Sequence, residues 1–275
     1  MDHRPQHYVS TGQFANICHV NKKTLFHYDA IGLFKPAFVD DKGYRYYSLN
    51  QLDLFTMISS LKELSVPLKE IKTYIDQRTP ELILDLSRKK IHEVDLEMAK
   101  LSKIKHVFEE TLLYTNRGLN AWKDGIRLEE HEEEYIIVSP AIQVSDSDNP
   151  IEWLDFFTNF EHLTLSMNTS FVGSMVSREH VLAGRYESKS HLFAKTKTDE
   201  DRQRATILVK PKGKYAVTFH HGGYDTIGAT YEKLLVYITD NKLSMGEFSF
   251  EEYLIDEVGV QQEKDYVTQI SLEVK

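Results

Sequence analysis

The run Phe248-Ser-Phe-Glu-Glu-Tyr-Leu-Ile255 reads as a β-strand that carries two adjacent carboxylates. Side chains alternate along a strand, so Ser249, Glu251, Tyr253 and Ile255 share one face and Phe248, Phe250, Glu252 and Leu254 the other. A carboxylate beside an aromatic ring suits a lipophilic cation: it neutralises the charge, and the π-face adds about 2 kcal/mol or more once water is excluded. A plain strand acid above core aromatics is the other reading of the same residues. A second constellation is basic. Lys22, Lys23, Thr24 and His27 fall on the first turns of a short helix, where side chains can reach base edges and phosphates in a major groove. Tyr28, one turn on, offers a hydroxyl to the nucleic-acid backbone. Tyr44, Arg45 and Tyr46 on a following hairpin can act as a wing against flanking phosphates or the minor groove, and Lys62 is a further candidate contact. The same spacing also fits solvated charges and half-buried aromatics of an interaction domain.

Other chemistries find less support. His220 and His221 are adjacent on a predicted strand, so they point to opposite faces and cannot share one metal ion. His180 and His191 have no nearby cysteine. The single cysteine, Cys18, permits no intrachain disulfide and no cysteine-based metal site, which fits a reducing cytoplasm. Nucleotide-binding, zinc-hydrolase and serine-hydrolase motifs are missing from the sequence, so no catalytic residue, cofactor or metal is expected. The first residues lack the apolar core of a secretory signal, and no run approaches the roughly 18 apolar residues of a membrane span, so a cytoplasmic location without membrane contact is expected.

The 275 residues must position these groups, and their charge is unevenly divided. The formal net charge of −9 argues against a nucleic-acid partner. Residues 1–78, however, hold ten basic and eight acidic side chains, and the remainder 23 and 34, so the net charges are +2 and −11. Contact with DNA phosphates is therefore confined to the first segment.

That segment reads as short helices with explicit starts. Ser10 with Gln13 and Ser48 with Gln51 fit capping boxes. Asn21 caps a helix from Lys22 to about Ile31, ended by Gly32, and Cys18-His19-Val20 makes the turn before it, the spacing of a helix-turn-helix. Asp41-Lys42-Gly43 turns a small hairpin. Leu52, Phe55, Ile58 and Leu61 repeat at helical spacing, and Pro67 opens another helix. Thr79-Pro80-Glu81 starts a helix running to about Leu119, some 60 Å at 1.5 Å per residue. Its heptad seam of Leu84, Ile91, Val94, Met98, Leu101, Phe108 and Leu112 calls for a partner helix, most simply from a second copy of the chain, or else an intramolecular bundle. Residues 119–134 read as an acidic, solvated connector. Strand, helix, strand, strand then occurs twice, over 135–196 and 215–274. This suggests a duplicated α+β domain with helices on one face of an antiparallel sheet and a groove where the halves meet.

The first 78 residues resemble a MerR-type transcriptional regulator. The resemblance is carried by Ser10 to Gly12, Asn21-Lys-Lys-Thr-Leu-Phe-His-Tyr-Asp29, Ile31-Gly-Leu-Phe-Lys-Pro36, Gly43-Tyr-Arg-Tyr-Tyr47 and Leu61-Lys-Glu-Leu-Ser-Val-Pro-Leu-Lys-Glu-Ile71. It implies a winged helix-turn-helix and dimerisation through a long antiparallel coiled coil. The sequence departs from the pattern at Phe26, where the family usually has Arg, and at His27, where it often has Tyr. Pro211-Lys-Gly-Lys-Tyr-Ala216, His221-Gly-Gly-Tyr224, the Tyr231 to Ile238 helix and Phe250-Glu-Glu-Tyr253 are similar to the gyrase-inhibitor-like effector domain of multidrug-sensing members. That likeness implies a small-molecule effector, with Glu251 as the pocket acid and Phe171, Tyr186, Phe219 and Tyr253 as lining. A second acid of some relatives is Gln269 here. The fold class expected is thus multidomain α and α+β: a DNA-binding domain at 1–78, a coiled-coil helix at 79–119 and an effector domain at 120–275. The function implied is a homodimeric, ligand-responsive regulator that distorts pseudo-palindromic, double-stranded promoter DNA and so acts indirectly on RNA polymerase. A constitutive repressor with a structural C-terminal domain is the competing reading, and since some stand-alone gyrase-inhibitor-like proteins resemble hydrolases with a pocket Glu and Tyr, hydrolysis by Glu251 and Tyr253 is the enzymatic alternative.

Overall fold

A computed structural model of the chain describes residues 8–142, 150–167, 169, 172–196 and 205–275. Two compact units divide it, residues 1–95 and 96–275. Among the described residues no helix is long and apolar enough to cross a membrane.

The first unit opens with strand β1 (Tyr8–Ser10) and helices α1 (Thr11–Ile17) and α2 (Lys22–Ala30). The local reasons are those the sequence suggested. Ser10 and Gln13 form a reciprocal capping box, and Asn21 Oδ1 accepts from the Lys23 amide at 2.9 Å, satisfying donors that a helix start otherwise leaves orphaned. His19 takes φ of 53° in the turn, and Gly32 ends α2 at φ of 68°. Strands β2 (Phe38–Val39) and β3 (Arg45–Ser48) form the wing, and β3 pairs with β1 on its other side. The Ser48–Gln51 capping box starts a single 3₁₀ turn that leads into α3 (Leu52–Glu63). Helix α4 (Leu68–Gln77) follows Pro67. Phe14, Leu25, Tyr28, Phe34, Tyr47, Phe55, Ile58 and Ile71 close one core among these elements.

Helix α5 (Pro80–Leu119) has the predicted span, with Thr79 Oγ1 accepting from the Leu82 amide. Ile91, Met98, Leu101, Phe108 and Leu112 of its heptad seam are each more than half exposed.

The second unit adds strands the sequence did not announce. β4 (Arg127–His131) lies in the segment expected to be a loop, where pairing with β9 and the packing of Ile126 against the core hold it in the sheet despite the acidic run. β5 (Glu134–Val138), α6 (Pro150–Ser166), β6 (Gly173–Ser177), the short α7 (Arg178–Leu182) and β7 (His191–Thr196) form the first repeat. β8 (Thr206–Lys210) intervenes. β9 (Gly213–His221), α8 (Gly228–Asp240), β10 (Met245–Ile255) and β11 (Val267–Val274) form the second.

All eight strands join one antiparallel sheet in the order β4-β9-β11-β10-β6-β7-β5-β8. The order is symmetric about the β10–β6 junction: each repeat places its first strand outermost and its last in the middle, with β4 and β8 added at the edges. Only Pro211 and Lys212 separate β8 from β9, although the two lie near opposite ends of the sheet. So short a link requires the sheet to curl until its ends approach. Both long helices cover the outer face, α6 over Ile137, Leu192 and Ala194, and α8 over Ala216, Ile270 and Leu272. The inner face holds Ile136, Met175, Phe193, Tyr215, Val217 and Phe250, with Tyr114 from the last turns of α5 among them.

Candidate nucleic-acid interface and ligand site

On the first unit, Lys22, Lys23 and His27 are exposed at the start and along the outer side of α2, Thr24 is half-buried, and Lys62 is exposed in the last turn of α3. Leu25 and Tyr28 form the inward side. Tyr28 is 3% exposed and packs near Phe55, so the structure corrects its expected role: its ring fixes the helix from within the core and is not a surface group. The wing is braced. Asp40 Oδ1 accepts from the Lys42 and Tyr44 amides at 3.0 and 2.8 Å, and Gly43 supplies φ of 81° in that turn. Tyr44 stands outward, whereas Tyr46 stacks on Phe38 with 4.8 Å between centroids. Arg45 reaches across to α2. Its Nε donates to Asp29 Oδ2 at 2.7 Å, and its guanidinium lies 5.3 Å from the centroid of Phe26. A guanidinium thus stands beside the helix position at which the sequence lacks one, delivered by the wing.

The second unit separates the two carboxylates of β10 completely. Glu251, paired in register with Ser174 at the junction of the repeats, faces the helices and is fully buried. Lys189 Nζ donates to its Oε2 at 2.6 Å, the Ser174 hydroxyl donates to the same oxygen at 3.2 Å, and the Tyr231 hydroxyl donates to Oε1 at 2.8 Å. The Tyr253 hydroxyl is 2.7 Å from Ser174 Oγ and 3.5 Å from Glu251 Oε2. Tyr186 stacks on Tyr231 at 4.9 Å, nearly parallel. Glu251, Tyr253 and Tyr186 are therefore brought together as expected, but the carboxylate is already paired with the chain's own lysine. Burial, reinforced by Glu251, pushes the Tyr231 and Tyr253 phenols well above their ordinary value, so both stay protonated donors.

Phe219 does not join them. It lies on the inner face, edge-on to Trp122 at 4.4 Å, because its register partner is Gln269 and the alternation of β9 and β11 puts both opposite Glu251. Phe171 lies outside the described residues.

The inner face carries a cavity of about 360 Å³ lined by Arg117, His131, Glu134, Lys195, Lys210 and Glu252 among others. Glu252, 1% exposed, receives Arg117 Nη1 at 2.7 Å on Oε2 and Lys195 Nζ at 3.0 Å on Oε1. Arg117 Nη2 also donates to Gln269 Oε1 at 2.8 Å. Burial alone would raise the Glu252 carboxyl, but Lys195, Arg117 and Lys210 together outweigh it and hold it down at about 2. Burial lowers the Lys210 ammonium and the His131 imidazole from their ordinary values. Gly118 lets the end of α5 lie directly on β10, since a Cβ there would come 2.5 Å from Ile255 Cγ1. None of Arg117, Lys195, Lys210 and Glu252 was a candidate from sequence. Strand alternation had already set Glu252 apart from Glu251, but the three cations come from α5, β7 and β8, and only the curl of the sheet gathers them.

The family described as MerR HTH family regulatory protein matches residues 9–78, and that described as GyrI-like small molecule binding domain matches residues 102–275. The chain belongs to the MerR-type regulators that carry a GyrI-like domain. It is 32% identical to the multidrug-efflux transporter 2 regulator of Bacillus subtilis (strain 168), covering 98% of this chain and 97% of that one. To the multidrug-efflux transporter 1 regulator of the same organism it is 28% identical, over 86% and 87%. The solved EcmrR–DNA complex aligns over 97% of this chain and 99% of the other at 22% identity and a TM-score of 0.44. As a member of this family, the regulator is a ligand-responsive, DNA-binding transcription regulator.

Proposed function

We propose that the regulator works as a cytoplasmic homodimer, joined through α5, and grips a pseudo-palindromic promoter with two winged heads. The observation that carries this reading is the pairing of an exposed basic helix face with an exposed apolar seam on a 40-residue helix. Lys22, Lys23, Thr24 and His27 take the major groove, and Tyr44 and Arg45 the flanking phosphates. Residues 1–78 bind DNA, 79–119 dimerise and 120–275 sense the effector, a small lipophilic molecule, neutral or cationic. Effector binding favours a dimer that twists and bends the promoter so that RNA polymerase can use it, which requires tighter binding to that state. The multidrug-efflux transporter regulators among its relatives support this reading.

The protein is no enzyme in this reading. Both oxygens of Glu251 are occupied and the Tyr253 phenol is held protonated, which leaves no activated nucleophile. Gel shift on the gene's own upstream promoter tests the reading. Sequence-selective binding that weakens between 50 and 200 mM salt, roughly tenfold for each phosphate-contact pair, is expected. Salt-insensitive or non-selective binding overturns it, and binding that no small molecule alters favours a constitutive repressor.

A further inference from the structure

Phe26 is out of place on the outer side of α2. The residue is 44% exposed and its side chain carries no polar atom, yet exposed neighbours of the opposite character surround it. Lys22 and Lys23 stand one turn before it and His27 beside it, all exposed. Residues three and four apart share a face of a helix, so an aromatic ring lies within the basic surface that enters the major groove. The inward side of α2 is already made by Leu25 and Tyr28.

The ring is held in place from the wing. The Arg45 guanidinium lies over it, 5.3 Å from its centroid. Asp29, one turn after Phe26 on the same helix, accepts from Arg45 Nε at 2.7 Å, and its side chain is only 19% exposed. The carboxylate fixes the guanidinium plane, and that plane backs the ring. An exposed aromatic side chain held this way has less freedom to lose when a partner arrives.

The groove decides what such a ring can read. Base edges offer hydrogen-bond donors and acceptors that a phenyl ring cannot answer, and the apolar group among them is the C5 methyl of thymine. We infer that Phe26 is a specificity residue that packs on the methyl group of one thymine in each half-site, with Arg45 as its positioning residue. The inference rests on the reading in which α2 takes the major groove, and adds to it the class of base that the helix selects. Lys22 and Lys23 supply attraction to phosphates of any sequence, whereas the contact of Phe26 depends on the base pair.

Fluorescence anisotropy of the full chain on its upstream promoter fragment tests this, with each thymine replaced in turn by deoxyuridine. The replacement removes the methyl and keeps every hydrogen-bonding group. At one thymine of a half-site the wild type is expected to weaken about fourfold, the worth of one buried methyl. In Phe26→Ala the same replacement should cost nothing, while the salt dependence of binding stays that of the wild type because no phosphate contact is lost. Phe26→Leu keeps an apolar side chain and should retain part of the uracil penalty. Arg45→Lys keeps the charge but not the plane, so it should shrink the penalty without changing the salt dependence. Circular dichroism confirms that the variants fold, and the Leu variant keeps the test decisive if the Ala variant does not. A uracil penalty equal in wild type and Phe26→Ala at every thymine overturns the inference. So does a wild type that binds selectively and is indifferent to every replacement, which leaves the DNA-binding reading standing. A wild type that does not select the unmodified fragment removes both.

Discussion

Glu251 and Glu252 are neighbours in sequence and differ in nearly every physical respect. Glu251 looks outward under the helices into a ring of hydroxyls, closed by one lysine that retains 16% of its surface. Glu252 looks inward among three cations, one of which is buried to 2%. The first carboxylate knits the two repeats together at their junction; the second joins the inner cavity to α5. The comparison teaches that the identity of a pocket acid is decided by which face of the sheet is roofed. In this fold the helices roof the face that carries Glu251.

The contrast can be broken by neutralising each acid. Glu252→Gln should cost about 3–5 kcal/mol in chemical denaturation, because it strands buried cations. A loss as small as that of Glu251→Gln would mean the inner cluster is solvated. Acid unfolding sharpens the same point. The Glu252 carboxyl sits at about 2 in the folded chain against an ordinary 4.5, so its contribution is fully present above pH 4.5 and is lost as pH falls toward 2. The loss should be about 3 kcal/mol. The wild type should therefore lose stability more steeply over that range than Glu252→Gln does. Glu251→Gln is expected to cost about 1–3 kcal/mol, since an amide keeps part of the hydrogen-bond ring and Lys189 can reach water.

Gly118→Ala extends the comparison to the helix that the inner face holds. The added methyl would overlap Ile255, so a cost of about 1–3 kcal/mol is expected, with a reduced effect of ligand on promoter affinity. If denaturation and ligand response are both unchanged, α5 is not seated there. The smallest effect belongs to the first unit. Among the described residues the buried Tyr47 hydroxyl has no hydrogen-bond partner, and burial raises its phenol to about 12. Tyr47→Phe should leave thermal stability unchanged or slightly improved, because it removes an unsatisfied group while keeping the ring.

Legibility differed between the two units. In the first, capping residues, glycines and helical spacing are local, and the elements fall where the sequence placed them. The surface residues Lys22, Lys23 and His27 were readable because a short helix has one inner side, and only Tyr28 was assigned to the wrong side. In the second unit the duplicated order of strands and helices was readable. The edge strands were not: β4 is too acidic to show a strand pattern, and the alternation of β8 is too short. Register then misled, because Phe219 and Glu251 are both strand aromatics or acids whose faces depend on pairing partners far along the chain.

The sequence by itself determined the division into a basic head, a long apolar-seamed helix and an acidic duplicated domain, because composition and period are properties of contiguous residues. It also determined that Glu251 and Glu252 face opposite ways, since alternation is a property of any strand. Only the tertiary structure decided which of those ways leads to a cavity and what fills it. Arg117 and Lys195 meet Glu252 across 135 and 57 positions of chain, and Lys210 reaches Phe250 only because the sheet curls its ends together. Charges buried at that range are placed by closure of the fold, and no local pattern encodes them.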